Sequence, residues 1–193
     1  MTVHVVGLDL SLAKTGWSII RPGEPIRHGV LPSSAVRGDY YVETLDRLRR
    51  ICARIIRRAA EGHEVGDVIV YAIEGPSHGN SNENGYHARA GLMWLLLHLL
   101  SKSGTCVVVP PSSAKRYMTG KGNADKPAMV SAVQRAFPAL IVTDDNEADA
   151  ITMAAMVARE LGFPQEVSTH RVHPAALDGV VWPEWITQRR ERA

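Results

Sequence analysis

Apolar residues run from Val3 to Leu8, interrupted only by His4, and again from Val68 to Ile73, and each run stops at a carboxylate, Asp9 and Glu74. After the first run come polar Ser11–Gly16, read as a turn-like linker, and a short apolar stretch from Trp17 to Arg21. The turn signal Pro22-Gly23-Glu24-Pro25 follows, and then Ile26–Leu31. Three short strands with short connections predict an antiparallel meander. From about Tyr40 to Ala60 the period changes. Val42, Leu45, Leu48, Cys52, Ile55, Ile56 and Ala59 recur at three- and four-residue spacing, one face of a helix, with arginines expected on the opposite face. Gly62 and Gly66 end that helix, and the β-branched run Val68–Ile73 suits a strand covered on both faces. A helix between two strands implies a parallel, right-handed crossover.

Beyond Glu74 the pattern loosens. Gly75–Gly85 is a polar, glycine-rich loop too long for a simple connector. Tyr86–Leu100 predicts a helix apolar on most sides, so buried or at an interface. Thr105–Val109 reads as a fifth strand, stopped by Pro110-Pro111. Ser112 or Ser113 is expected to cap a short helix through Met118, and Asp125 to cap one that holds Pro127 near its start and reaches Ala136. A last strong helix is expected from Asn146 to Leu161. The expected division is a folded domain over residues 1–162 and an extension over 163–193 that carries Trp182 and Trp185.

Composition changes this picture little. With 193 residues, 45% apolar and 22% charged, the chain is expected to form one soluble domain with a substantial core. No signal-peptide pattern opens it, and Leu92–Leu100, broken by His98, is too short to span a bilayer, so an intracellular, membrane-free protein is expected. Cys52 and Cys106 read as buried free thiols. His78, His87 and His98 fit no ligand spacing. Net charge is only +2, but its distribution is uneven. Arg47, Arg49, Arg50, Arg54, Arg57 and Arg58 crowd one helix, Lys115, Arg116, Lys121 and Lys126 one loop region, and Arg189, Arg190 and Arg192 the end of the chain. Such clusters track a phosphate backbone or simply face solvent, and the pattern alone leaves both open.

The candidate chemistry lies in Asp9, Glu74 and Asp149, the last near the start of the apolar helix. A carboxylate at the end of an apolar strand is costly to bury unless it is paired or binds a cation. Taken singly, Asp9 has a bland reading as an acceptor for the following turn, and Asp149 as a charge favoured by the helix dipole. Glu74 has no local cap to serve. Together the three point to one shared cation site.

In order along the chain, Gly7-Leu8-Asp9-Leu10-Ser11 with Thr15-Gly16-Trp17, then Ala72-Ile73-Glu74, then Ala148-Asp149-Ala150-Ile151, resemble the motifs of RuvC-like Holliday junction resolvases of the RNase H-like superfamily. Lys115 and the stretch Thr119–Lys126 resemble the lysine-bearing loop of phage-type members. The resemblance covers about residues 3 to 161. It implies an α/β, RNase H-like fold with a mixed five-stranded sheet, three strands antiparallel and two parallel, flanked by helices. It also implies a structure-selective DNA endonuclease using two Mg²⁺ ions, with Mn²⁺ able to substitute. On that basis Asp9 bridges the metals, Glu74 and Asp149 each bind one, and Asn146 is the expected fourth ligand, supported or replaced by Asp145 or Glu147. Lys126 is expected at the scissile phosphate. Lys115, Lys121, Ser77, His78 and Asn80 are expected to contact DNA. The implied partners are branched DNA (Holliday junctions, forks and flaps) and a second copy joined through Tyr86–Leu100, in the cytoplasm of a bacterial or phage-infected cell. Where family members carry an aromatic wedge after the second acid, this chain has Pro76, His78 and Asn80, which broadens the expected substrates beyond junctions. Two rivals remain: a non-catalytic branched-DNA-binding protein, suggested by Asn146, and an actin-like sugar-kinase type of phosphotransferase, suggested by Gly7–Gly16.

Overall fold

The computed structural model describes residues 2–34, 41–76 and 83–191. Strands β1 (Val3–Asp9), β2 (Lys14–Ile20) and β3 (Arg27–Pro32) form the expected meander. Helix α1 (Tyr41–Ala59) leads to β4 (Val68–Glu74), and α2 (Glu83–Leu100) to β5 (Thr105–Val109). Then come α3 (Pro111–Thr119), α4 (Lys126–Ala136) and α5 (Asp145–Glu160), followed by a 3-10 turn at Pro174–Gly179 and α6 (Glu184–Glu191). The sheet order is β3-β2-β1-β4-β5, with β4 parallel to β1 and β5 parallel to β4.

Strand alternation sends side chains into two cores, one on each face of the sheet. Val6, Leu8, Tyr71 and Ile73 meet α1 and α2 through Leu48, Ile55, Leu92 and Leu96. Val5, Val70, Ala72 and Val107 meet α3, α4 and α5 on the other face. The second core also takes in Ala176, Leu177, Val180 and Ile186, so the end of the chain packs onto the domain rather than trailing from it. A buried network fastens it. Tyr117 on α3 donates to Glu166, and Arg159 on α5 donates to the Tyr117 hydroxyl (2.7 Å) and to Glu166 (3.0 Å).

Three local expectations need correction. Strand β2 begins at Lys14, because Lys14, Thr15 and Gly16 pair with Pro32, Leu31 and Val30 instead of forming a turn. Helix α3 is capped by neither serine: Pro110 holds the N-cap position without a side-chain bond, and its carbonyl accepts from the amides of Ser113 and Ala114. Several α1 arginines turn inward to the protein. Arg47 donates to the Leu12 carbonyl (2.7 Å), Arg54 to that of Pro32, and Arg58 lies 4.6 Å from the Trp17 ring. Their long stems cover the edge of the sheet while the guanidinium groups satisfy strand-end carbonyls. The Asp125 cap of α4 is as expected, accepting from the Ala128 amide at 2.9 Å.

Candidate active site

Leu8 and Ile73 are register partners on the parallel strands β1 and β4, so the next residues, Asp9 and Glu74, end these strands side by side. Helix α5 brings the third acid. It crosses β1 and β2 at backbone contact, which two glycines permit: a Cβ on Gly7 would lie 2.0 Å from the Ala150 carbonyl oxygen, and one on Gly16 1.9 Å from that of Asn146. Ser18 donates to the Ala150 carbonyl at 2.8 Å and fastens the crossing. The first turn of α5 is held from both sides. Asp144 caps it through the Asn146 amide (3.0 Å) and pairs with Lys14. Asp149, one turn further in, thus meets the ends of β1 and β4.

Three acids in one buried place disturb one another. Burial first, then the charge and hydrogen bond of Glu74 and the charges of Asp149 and Asp145, hold the Asp9 carboxyl well above the usual range. Glu74 is also raised by burial, against the hydrogen bond from Asp9 and the charges of Lys115 and Arg89. Burial and the Glu74 charge push Asp149 up to about 7, opposed by Lys115 and Lys126. Its Oδ1 is buried with no hydrogen-bond partner among the described residues. Unpartnered buried oxygens and carboxyls forced toward protonation mark a place short of positive charge. Hard carboxylate oxygens suit Mg²⁺ or Mn²⁺. Among the described residues no three His, Cys, Asp or Glu side chains close tightly enough to grip an ion unaided. The arrangement is therefore open, of the kind that waters and substrate oxygens complete around a hard cation.

Comparison with solved structures finds this architecture in RuvC from Thermus thermophilus. One structure of that protein matches with a TM-score of 0.54 at 16% identity, over 85% of this chain and 99% of the other. T. thermophilus RuvC in complex with Holliday junction substrate matches with a TM-score of 0.61 at 14% identity, over 86% and 99%. The chain has the RuvC fold. No protein-family model matches it, and no curated protein matches it by sequence.

On this RuvC-like frame the remaining candidate residues divide. Lys126 pairs with Asp145, and the charges of Asp149 and Asp9 add to the raised affinity of its amine for a proton. Lys115 faces Glu74 and Asp149. Asn146 donates its amide nitrogen to the Lys14 carbonyl at 2.9 Å, which holds the side chain against β2. Glu147 is buried away from the acids, 2.6 Å from His28 Nδ1, and accepts from the Thr143 amide. Lys121 lies apart, in a groove with Arg135 and Arg171. Ser77, His78 and Asn80 fall outside the described residues.

One participant was missed. Arg89, the only Lys or Arg in α2, acts on Glu74 from a cavity of about 300 Å³ lined also by Leu10, Pro76, Tyr86, Met93 and Trp94. The signal available was a lone cation in an otherwise apolar helix following the acid.

Proposed function

We propose that the chain is a Mg²⁺-dependent, structure-selective endonuclease that hydrolyses phosphodiesters in branched DNA, namely Holliday junctions, forks and flaps, leaving 5′-phosphate and 3′-hydroxyl ends. The observation that carries this reading is the meeting of Asp9, Glu74 and Asp149, with an unpartnered buried Asp149 oxygen, on a RuvC fold. Asp9 would be shared by both ions, Glu74 and Asp149 would each hold one, and Asn146 would offer an amide oxygen, or Asp145 a carboxyl oxygen, as the fourth ligand. Bound Mg²⁺ supplies Lewis-acid charge and a more acidic water for in-line displacement. Lys126 is largely exposed and, among the described residues, paired with Asp145, which suits it to turn to the scissile phosphate and offset the charge developing there. Lys115 and Arg89 flank Glu74 and orient the phosphate from the other side.

The reading includes a homodimer through α2. Trp94 is 70% exposed, and on the adjoining α1 Tyr41 and Val42 are also exposed, apolar surface of the kind a second copy covers. Light scattering at micromolar concentration should give twice the chain mass; a monomer removes this part. A non-catalytic binder draws support from Asn146, whose neutral amide is anchored to β2.

A panel of labelled junctions, forks, flaps and linear duplex with Mg²⁺, Mn²⁺ or EDTA separates the readings. Branched substrates should be cut with either metal and spared in EDTA, and Asp9→Asn or Glu74→Gln should abolish cutting. Binding without cutting would favour the non-catalytic reading, and ATP hydrolysis without DNA cutting the phosphotransferase. Undiminished cutting by both variants would sink the metal site.

A further inference from the structure

Two grooves lie side by side along α4 and share a wall, and the first of them reaches Asp145 near the candidate site. The first, about 580 Å³, starts at Lys126 and Asp145 and runs past Pro127 to Ser131 and Arg135. The second, about 700 Å³, begins at the same Ser131 and Arg135 and continues to Lys121, Asn123, His170 and Arg171. Arg135 is braced by donating to the Ser131 hydroxyl at 2.6 Å. The far wall comes from the segment after α5, and it is fixed in place. His170 lies 3.2 Å from the Met118 carbonyl, and the His173 amide donates to the Tyr117 carbonyl at 2.9 Å. Between these anchors Arg171 is exposed at the groove's rim.

Charge decides what fits. The second groove presents Lys121, Arg135 and Arg171 against one acid, Asp125, and that carboxylate is engaged in capping α4. Three cations along an open trough, adjoining the groove that holds Lys126 and Asp145, suit a polyanion longer than one phosphate. Amide and hydroxyl donors at Asn123 and Ser131 suit the backbone and carry no base code.

Resting on the nuclease reading above, we propose that these two adjoining grooves form a second DNA-contact surface, in which Arg135 of α4, on the wall between them, and Arg171 of the C-terminal segment hold the phosphate backbone of one duplex arm beyond the cleavage site. The C-terminal segment thereby extends the substrate footprint from the scissile phosphate to the arm.

The test uses the full chain and a fluorescent four-way junction with long arms, in Ca²⁺ to prevent cutting, with affinity measured across a salt series. Each phosphate contact contributes a slope of about 0.9 in log affinity against log salt. Arg135→Gln/Arg171→Gln should therefore flatten the slope by about 1.8, so that a fourfold rise in salt costs the wild type about 12-fold more affinity than the variant. Arg171→Lys should keep the wild-type slope, which separates lost charge from lost structure, and Arg49→Gln on the outer face of α1 should leave it unchanged. A double variant with the wild-type slope, or an equal loss from Arg49→Gln, overturns the groove while the nuclease reading stands. Failure of the wild type to bind any DNA overturns both.

Discussion

Asp149→Asn should make the metal-free protein more stable while ending its activity. In the folded chain Asp149 is pushed from 3.8 up to about 7, chiefly by burial and then by Glu74. Below about pH 4 the carboxyl is protonated whether the chain is folded or not, and it has no effect on stability. As pH rises from 4 to 7 the unfolded chain releases the proton and the folded chain keeps it, so stability falls through this window and the loss is complete above about pH 7. At 1.36 kcal/mol per pH unit the interval corresponds to about 4 kcal/mol, and partial exposure of the residue brings the expected figure to about 2–4 kcal/mol. An uncharged amide of the same shape removes that penalty. The assay is thermal unfolding in EDTA: at pH 8 the variant should melt about 5–10 °C above wild type, and the gain should shrink toward zero near pH 4. Saturating Mg²⁺ should raise the wild type and leave the variant where it is. A variant no more stable than wild type at pH 8, or a gain independent of pH, would refute the claim that burial and the neighbouring Glu74 penalise the Asp149 charge.

Three further outcomes follow from the geometry. Gly16→Ala places a methyl 1.9 Å from the Asn146 carbonyl, so α5 must retreat by about 1 Å, with a stability loss of roughly 1–3 kcal/mol and single-turnover cleavage slowed about 100-fold. Glu166→Gln leaves Arg159 and Tyr117 without their carboxylate partner and should lower the urea midpoint by the equivalent of about 2–3 kcal/mol, less than the ~3–5 kcal/mol for breaking a fully buried pair because Arg159 is partly exposed. Mg²⁺ at about 100 times its dissociation constant should stabilise wild type by about 2.7 kcal/mol in thermal shift, an effect that Asp9→Asn should lose.

Strands β1, β4 and β5 and the Asp125 cap were legible because each is a local matter of apolar run, stop signal or capping side chain. The start of β2 was not. Lys14, Thr15 and Gly16 look like a turn by composition, and only the approach of α5 explains why a glycine stands within that strand. The site divides the same way. Asp9 and Glu74 stood out because each ends an apolar run. Arg89 did not, because its relation to Glu74 depends on how α2 lies across the end of the sheet. Glu147 was a reasonable candidate by proximity to Asp149, yet two residues along a helix is a turn to a different face, and there it meets His28. The arginine cluster on α1 was ambiguous for a related reason: charge in a sequence does not say whether a carbonyl waits nearby.

The glycines at positions 7 and 16 set a limit on redesign. They carry no charge and no side chain, yet they fix how far Asp149 stands from the sheet. On the proposed metal reading, exchanging the acids to suit a larger cation would leave that spacing as it is. A different ion preference would have to be sought at the two residues that have no side chain to alter, with α5 carried outward as a unit.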